Sequence, residues 1–238
     1  MKKLFYIAAV ALLTVGMASC EKDDDNGGSN NTNNANTPID GAWVDLGLPS
    51  GLLWASCNIG SSSIEQYGNY YAWGETSPKS IYSWESYLYG DYDTDEGYTL
   101  FKYNVSSGYG QVDDKTVLDA SDDAAKAALG GDARMPTSSD WLELISYTTA
   151  TWTSVGSING VRLTGENGNS IFLPAAGRKQ DSELGANGES CVYWSSSLDE
   201  VNPSSAKCFY CYSDDPRTTV GGRNRGYSVR AVRPSSGK

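Results

Sequence analysis

The sequence predicts a strand-rich α+β domain with two helices, and three observations carry that prediction. Between Ile39 and Pro234, glycine and other turn residues recur at roughly 8–12-residue intervals, the spacing of short strands joined by turns. Most apolar stretches between those turns are too short for helices. Two segments alone combine good helix formers with start and stop signals. No second low-complexity break interrupts the span, so its roughly 195 residues read as one domain.

Strands are expected first at residues 52–55 and 70–73, where aromatic and apolar residues sit between Gly-, Ser- and Asn-containing turns. The first helix covers 124–129: Ser121-Asp122-Asp123 supplies a cap and Gly130-Gly131 ends it. For the second, Thr137 or Ser138 is the cap, Pro136 marks the boundary, and Asp140 completes a capping-box spacing from Thr137. Trp141, Leu144 and Ile145 then fall on one buried stripe. A hairpin joins strands at 161–164 and 170–173 through Gly165-Glu166-Asn167-Gly168. Further strands are expected at 192–195, 206–212 and 227–232. In the last, Tyr227, Val229, Ala231 and Arg233 alternate with Ser228, Arg230 and Val232, the pattern of a half-buried strand. No internal repeat is visible.

Composition narrows the chemistry. The chain has 238 residues and no histidine. That excludes Ser-His-Asp and Cys-His sites and any His-ligated metal. Lys and Arg number 18 against 29 Asp and Glu, a net charge of −11, which argues against nucleic-acid binding through phosphates. Ser195-Ser196-Ser197 lacks both a His base and a Gly-x-Ser-x-Gly elbow.

Residues 1–19 have the three parts of a secretory signal: the basic start Met1-Lys2-Lys3, an apolar run, and small residues before Cys20. The apolar run is shorter than the roughly 20 residues of a spanning helix. Cys20 after small residues resembles a bacterial lipobox, which implies cleavage before Cys20 and its diacylation with palmitate-class chains. The acidic Glu21-Lys22-Asp23-Asp24-Asp25 resembles the surface-export signal of Bacteroidetes lipoproteins. The rest of 20–38 is Asn-, Gly-, Ser- and Thr-rich, a flexible tether. The domain is expected at 39–234, with a short tail at 235–238.

Several strings carry a wider resemblance: Asp45-Leu46-Gly47-Leu48-Pro49-Ser50-Gly51-Leu52-Leu53-Trp54-Ala55, Tyr67-Gly68-Asn69-Tyr70-Tyr71-Ala72-Trp73-Gly74-Glu75, Arg134-Met135-Pro136-Thr137, Tyr193-Trp194-Ser195-Ser196-Ser197 and Gly226-Tyr227-Ser228-Val229-Arg230. Together they resemble the Fibrobacter succinogenes major paralogous domain family of Bacteroidetes lipoproteins. The resemblance implies a C-type-lectin-like fold: two helices, small twisted antiparallel sheets and terminal strands close together. Ala133 departs from it, since the family often places Trp there. Independently, Trp54, Trp73 and Trp194 lie among small residues and read as core aromatics, with a ligand platform as the alternative.

The acidic run Asp91-x-Asp93-x-Asp95-Glu96-Gly97 fails as an EF-hand, because Glu96 stands where Gly is required and Lys102 where Glu is. It reads as an exposed loop without a metal, a looser Ca²⁺ site being the alternative, and no cofactor is expected. If Cys20 carries lipid, Cys57, Cys191, Cys208 and Cys211 remain, with three possible disulfide pairings. Cys208 and Cys211 face opposite sides of a strand and should not bridge within it.

The expected functional surface is C-terminal. Strand alternation over 206–212 puts Phe209 and Cys211 toward the core and Cys208, Tyr210 and Tyr212 toward solvent. Exposed tyrosines give large contact area at low entropic cost. Lys207, Asp214, Asp215, Arg217, Arg223, Asn224 and Arg225 extend that face with both signs of charge. The layout resembles the variable region of retroelement-diversified proteins. The expected function is therefore a lipid-anchored outer-membrane protein displaying a binding face to a protein or glycan ligand. The alternatives are an enzyme on a related fold, such as that of the formylglycine-generating enzymes, acting on cell-surface material, and a structural component of a surface fibre.

Overall fold

The computed structural model describes residues 43–235. The expected signal sequence, Cys20 and the tether lie outside the described residues. In chain order, β1 (Trp43–Asp45), β2 (Leu53–Ala55), β3 (Tyr70–Tyr71), β4 (Gly90–Asp93) and β5 (Gly97–Leu100) precede α1 (Ala124–Leu129) and α2 (Ser138–Ser146). There follow β6 (Thr148–Val155), β7 (Ile158–Gly165), β8 (Ser170–Pro174), β9 (Arg178–Gln180), β10 (Glu183–Gly185) and β11 (Cys191–Leu198). The chain continues through β12 (Ser205–Tyr212), β13 (Asp215–Gly222), β14 (Tyr227–Ser228) and β15 (Val232–Arg233).

The strands form small sheets, so the α+β class holds, with strand in excess. The central sheet has the order β13-β12-β11-β14-β3. It is antiparallel except where β14 runs parallel to β11. A second sheet, β1-β2-β15, joins the first and last described strands; a third is β6-β7-β8, and β4-β5 and β9-β10 are separate two-stranded pairs.

Both helices form where their caps predict. Asp123 accepts from the Ala125 and Lys126 amides, and Gly130 ends α1 at φ +66°, a conformation that favours glycine. Thr137 and Asp140 make the reciprocal capping box of α2. Arg134 donates to Asp140 at 2.7 Å, locking the same corner. Trp141 and Leu144 are fully buried, and Ile145 packs beside them.

Each face of the central sheet carries a core. Val192, Trp194, Ala206, Cys208 and Tyr227 join Trp73 and Tyr103 on one side. Cys191, Tyr193, Phe209 and Cys211 join Trp54 and Trp141 on the other. Trp141 of α2 stacks on Phe209 with ring centroids 4.6 Å apart. Trp54, Trp73 and Trp194 are completely buried, as core aromatics should be.

This double burial corrects the expected exposure. The alternation along β12 is right, since Cys208 and Cys211 sit in different cores. Yet Cys208 is 1% exposed and Tyr210 is half-buried, because Arg178, Arg217, Arg225 and Tyr227 close around the face expected to meet solvent. The expected strand at 227–232 is also divided: β14 and β15 belong to different sheets, and residues 227–232 are all buried rather than alternating. Between them Arg230 turns inward and donates to the carbonyls of Ala55, Ser56 and Phe172 and to Asn58 Oδ1, at 2.7–3.0 Å.

Candidate ligand-binding site

β12 and β13 pair along their full length, with Tyr210 opposite Arg217 and Cys208 opposite Thr219. Opposed residues share a face. Arg217 therefore lies over Tyr210, its guanidinium carbon 4.8 Å from the ring centroid. Arg217 also pairs with Asp215 at 2.6 Å, a bridge so exposed that it adds little stability. A side chain at Gly221 would overlap the Tyr227 hydroxyl, so glycine there lets β13 close over that ring. Tyr227 stacks on Trp194 at 4.0 Å, which fixes it from below.

These contacts enclose a pocket of about 210 Å³ lined by Arg178, Cys208, Tyr210, Arg217, Arg225 and Tyr227, with Thr219, Val192 and Val220 completing it. Three arginines on one small pocket are a local reversal of the chain's net charge of −11. The floor is apolar. Burial pushes the Cys208 thiol up to about 12, so it is neutral at physiological pH, with Arg225 opposing the shift. Burial also raises Tyr227, and the neighbouring Cys208 raises it further. The site therefore offers cations at its rim, hydrogen-bond donors and an aromatic wall.

Of the residues expected to form one face, the structure brings four together here: Cys208, Tyr210, Arg217 and Arg225. Tyr212, Asp214 and Asp215 lie exposed at the β12–β13 turn, beside the pocket. Asp214 accepts from the Trp152 amide of β6, which ties that turn to the third sheet. Lys207 is half-buried, and its strand position places it on the Phe209 side, away from Tyr210. Asn224 is half-buried and does not line the pocket. Arg223 is fully buried. Its guanidinium donates to Tyr87 and to the carbonyls of Lys102, Tyr103 and Pro203 at 2.9–3.1 Å, so it holds the fold and offers nothing to a ligand. Sequence reasoning missed Val192, Thr219 and Val220 as pocket-forming, and also Arg178 and Tyr227. The last two come from other strands, and nothing local marks them.

The other expected features resolve structurally. Ser195 donates to the Lys207 carbonyl, Ser196 to that of Pro136, and Ser197 accepts from the Ser138 amide. Asp93 caps its own turn by accepting from the amides of Asp95 and Glu96, which lowers its pKa. Among the described residues no three His, Cys, Asp or Glu side chains come together as a metal site. The register sets Cys191 opposite Cys211 with both in one core. No helix among the described residues is long and apolar enough to cross a membrane. No family model, curated protein or solved structure matches the chain.

Proposed function

We propose that the chain is a lipid-anchored protein of the outer-membrane surface, and that the β12–β13 hairpin with its arginine-rimmed pocket binds a protein or glycan ligand. The observation that carries this reading is the stacked Arg217–Tyr210 pair beside Arg178 and Arg225, held on a sheet buried on both sides. Arginine and tyrosine are the side chains most able to anchor an interface, and a rigid support keeps the entropic cost of binding low. The exposed Tyr212, Asp214 and Asp215 extend the contact area past the pocket.

A C-type-lectin-like fold supports the same reading. The two helices, the small sheets and the pairing of β15 with β2 beside β1 agree with it. We further propose that the hairpin is a retroelement-diversified region, now confined to exposed and half-buried positions, because Cys208 and Arg223 are committed to the interior. Anchoring rests on Cys20, and the polar residues that follow it serve as a spacer.

A glycan and host-protein array tests the binding claim. The chain from Cys20 onward, carrying Cys20→Ser, should give hits that Tyr210→Ala, Arg217→Ala and Arg225→Ala each weaken. Hits retained by all three variants would remove the pocket from the proposal. For diversification, a near-identical template repeat beside a reverse-transcriptase gene must differ only at template adenines; differences scattered over all bases would end that part.

A further inference from the structure

A second cavity lies away from the hairpin, between the β1-β2-β15 sheet and the C-terminal end of α1. Its volume is about 520 Å³, within the roughly 300–1,000 Å³ range of small-molecule sites. Trp43, Ala55, Ile59, Tyr71, Leu129 and Ala133 give it an apolar lining. Arg233 and Asn69 supply polar groups.

Arg233 distinguishes this cavity. Its guanidinium carbon sits 4.6 Å from the Trp43 ring centroid. Its Nε is buried and has no hydrogen-bond partner. It makes no ion pair among the described residues. The contrast with Arg223 and Arg230 is direct, since those make four and five hydrogen bonds to carbonyl and side-chain oxygens. The buried Nε is out of reach of a ligand, but the stacked guanidinium on the cavity lining makes no ion pair, and a planar fork against an indole face is preorganised for a carboxylate. The Asn69 amide and the Tyr71 hydroxyl share a single long contact of 3.5 Å, which leaves both with hydrogen-bonding capacity. Asp132 on the lining and the net charge of −11 disfavour a multiply charged anion such as phosphate.

We infer that this cavity binds an acidic sugar, its carboxylate on Arg233, its hydroxyls toward Asn69 and Tyr71, and its ring against the apolar lining. The inference is independent of the hairpin pocket, with which the cavity shares no residue.

Calorimetric titration of the chain from Cys20 onward, carrying Cys20→Ser, tests it with galacturonate, glucuronate, galactose and inorganic phosphate. At least one uronate should bind saturably, while galactose and phosphate bind at least tenfold more weakly. Arg233→Gln, in a variant that melts cooperatively, should reduce uronate affinity tenfold or more. Asn69→Leu, nearly isosteric, removes the hydrogen bonds to the sugar hydroxyls and should also lower uronate affinity, so a folding defect in Arg233→Gln leaves a second contact of the same site to test. Absence of uronate binding, equal binding of galactose or phosphate, or full affinity in a folded variant at either position would overturn the inference.

Discussion

The arginines of the interior and those of the hairpin pocket differ in what surrounds them more than in where they lie along the chain. Arg217 in β13 is exposed, pairs with Asp215 and stacks on Tyr210. Arg223, just beyond the same strand, is wrapped by Trp73, Tyr87 and Tyr103 and bonded to three carbonyls and a hydroxyl. One kind of side chain serves as a binding anchor in the first place and as an internal strut in the second. The difference follows from partners: an interior cation must have every donor met, whereas a rim cation can leave its donors to water or a ligand.

Breaking the strut should give the largest effect. Arg223→Ala leaves three carbonyls without their donor and should destabilise the fold by at least about 3 kcal/mol, read in denaturant melts. Arg230→Ala should behave alike, since it strips donors from Ala55, Ser56, Asn58 and Phe172. Arg217→Ala, by contrast, should stay within about 0.5 kcal/mol of the unaltered chain. If Arg223→Ala melts like Arg217→Ala, the distinction between the two sets of arginines fails.

Along β12 the same comparison can be graded. Phe209→Ala should cost about 3–5 kcal/mol, as a core ring stacked on Trp141. Tyr210→Ala should cost about 1–2 kcal/mol because the ring is half-buried. Tyr212→Ala, at 61% exposure, should fall within about 0.5 kcal/mol. Any other order of the three in thermal melts would contradict the register of the hairpin.

Acid should act on the strut's surroundings before the pocket. Burial alone would raise Asp122, but hydrogen bonds from Lys102, Tyr103, Ser121 and Tyr89 outweigh it and hold the carboxyl below its usual value. A depressed carboxylate stabilises the fold above the ordinary pKa of about 3.9 and loses that contribution as pH falls through the lower folded value. Asp119, held low by Lys102 and Lys115, shares the sign. Asp123 has the opposite sign, raised chiefly by burial, so its protonation offsets part of the loss. Melting temperature should fall below pH 4, and Asp122→Asn should flatten that fall; an unchanged acid slope in the variant would contradict this assignment.

The smallest expected effect is chemical silence. Burial pushes the Cys208 and Cys211 thiols up to about 12 and raises Cys191 as well. Thiolate is the reactive form, so iodoacetamide at pH 8 should leave all three unlabelled in the folded chain and label them after denaturation. Rapid native labelling of Cys208 would mean that the pocket floor is open.

Legibility in the sequence tracked how local each signal is. Both helices were readable because their caps are consecutive residues, and the β7–β8 hairpin because its Asn-Gly turn is. β13 went unread: Pro216 and the paired Gly221-Gly222 look like loop, yet an edge strand tolerates proline and close packing on Tyr227 requires glycine. β6, rich in threonine, has little apolar content to mark it. In the site, alternation gave the partition of Cys208 from Cys211 but not the cover over each face. That cover comes from residues distant in sequence, as do Arg178 and Tyr227. Arg223 is placed inside rather than on the binding face for the same reason, since an arginine's sequence neighbours do not show which carbonyls will surround it.

The pairing of β15 with β2, and the reach of Arg230 back to Asn58, have a consequence for how the chain acquires its structure. The residues that complete both the β1-β2-β15 sheet and the interior carbonyl network lie more than 170 positions after their partners Ala55 and Asn58. Such distant contacts make for slow, late-closing folding, on the millisecond-to-second scale of strand-rich domains. A nascent chain still lacking residues 223–233 cannot donate to the carbonyls of Ala55, Ser56, Lys102, Tyr103 or Phe172. The interior carbonyl network thus stays open until β15 and the segment before it are in place, whatever the order in which the rest of the domain forms.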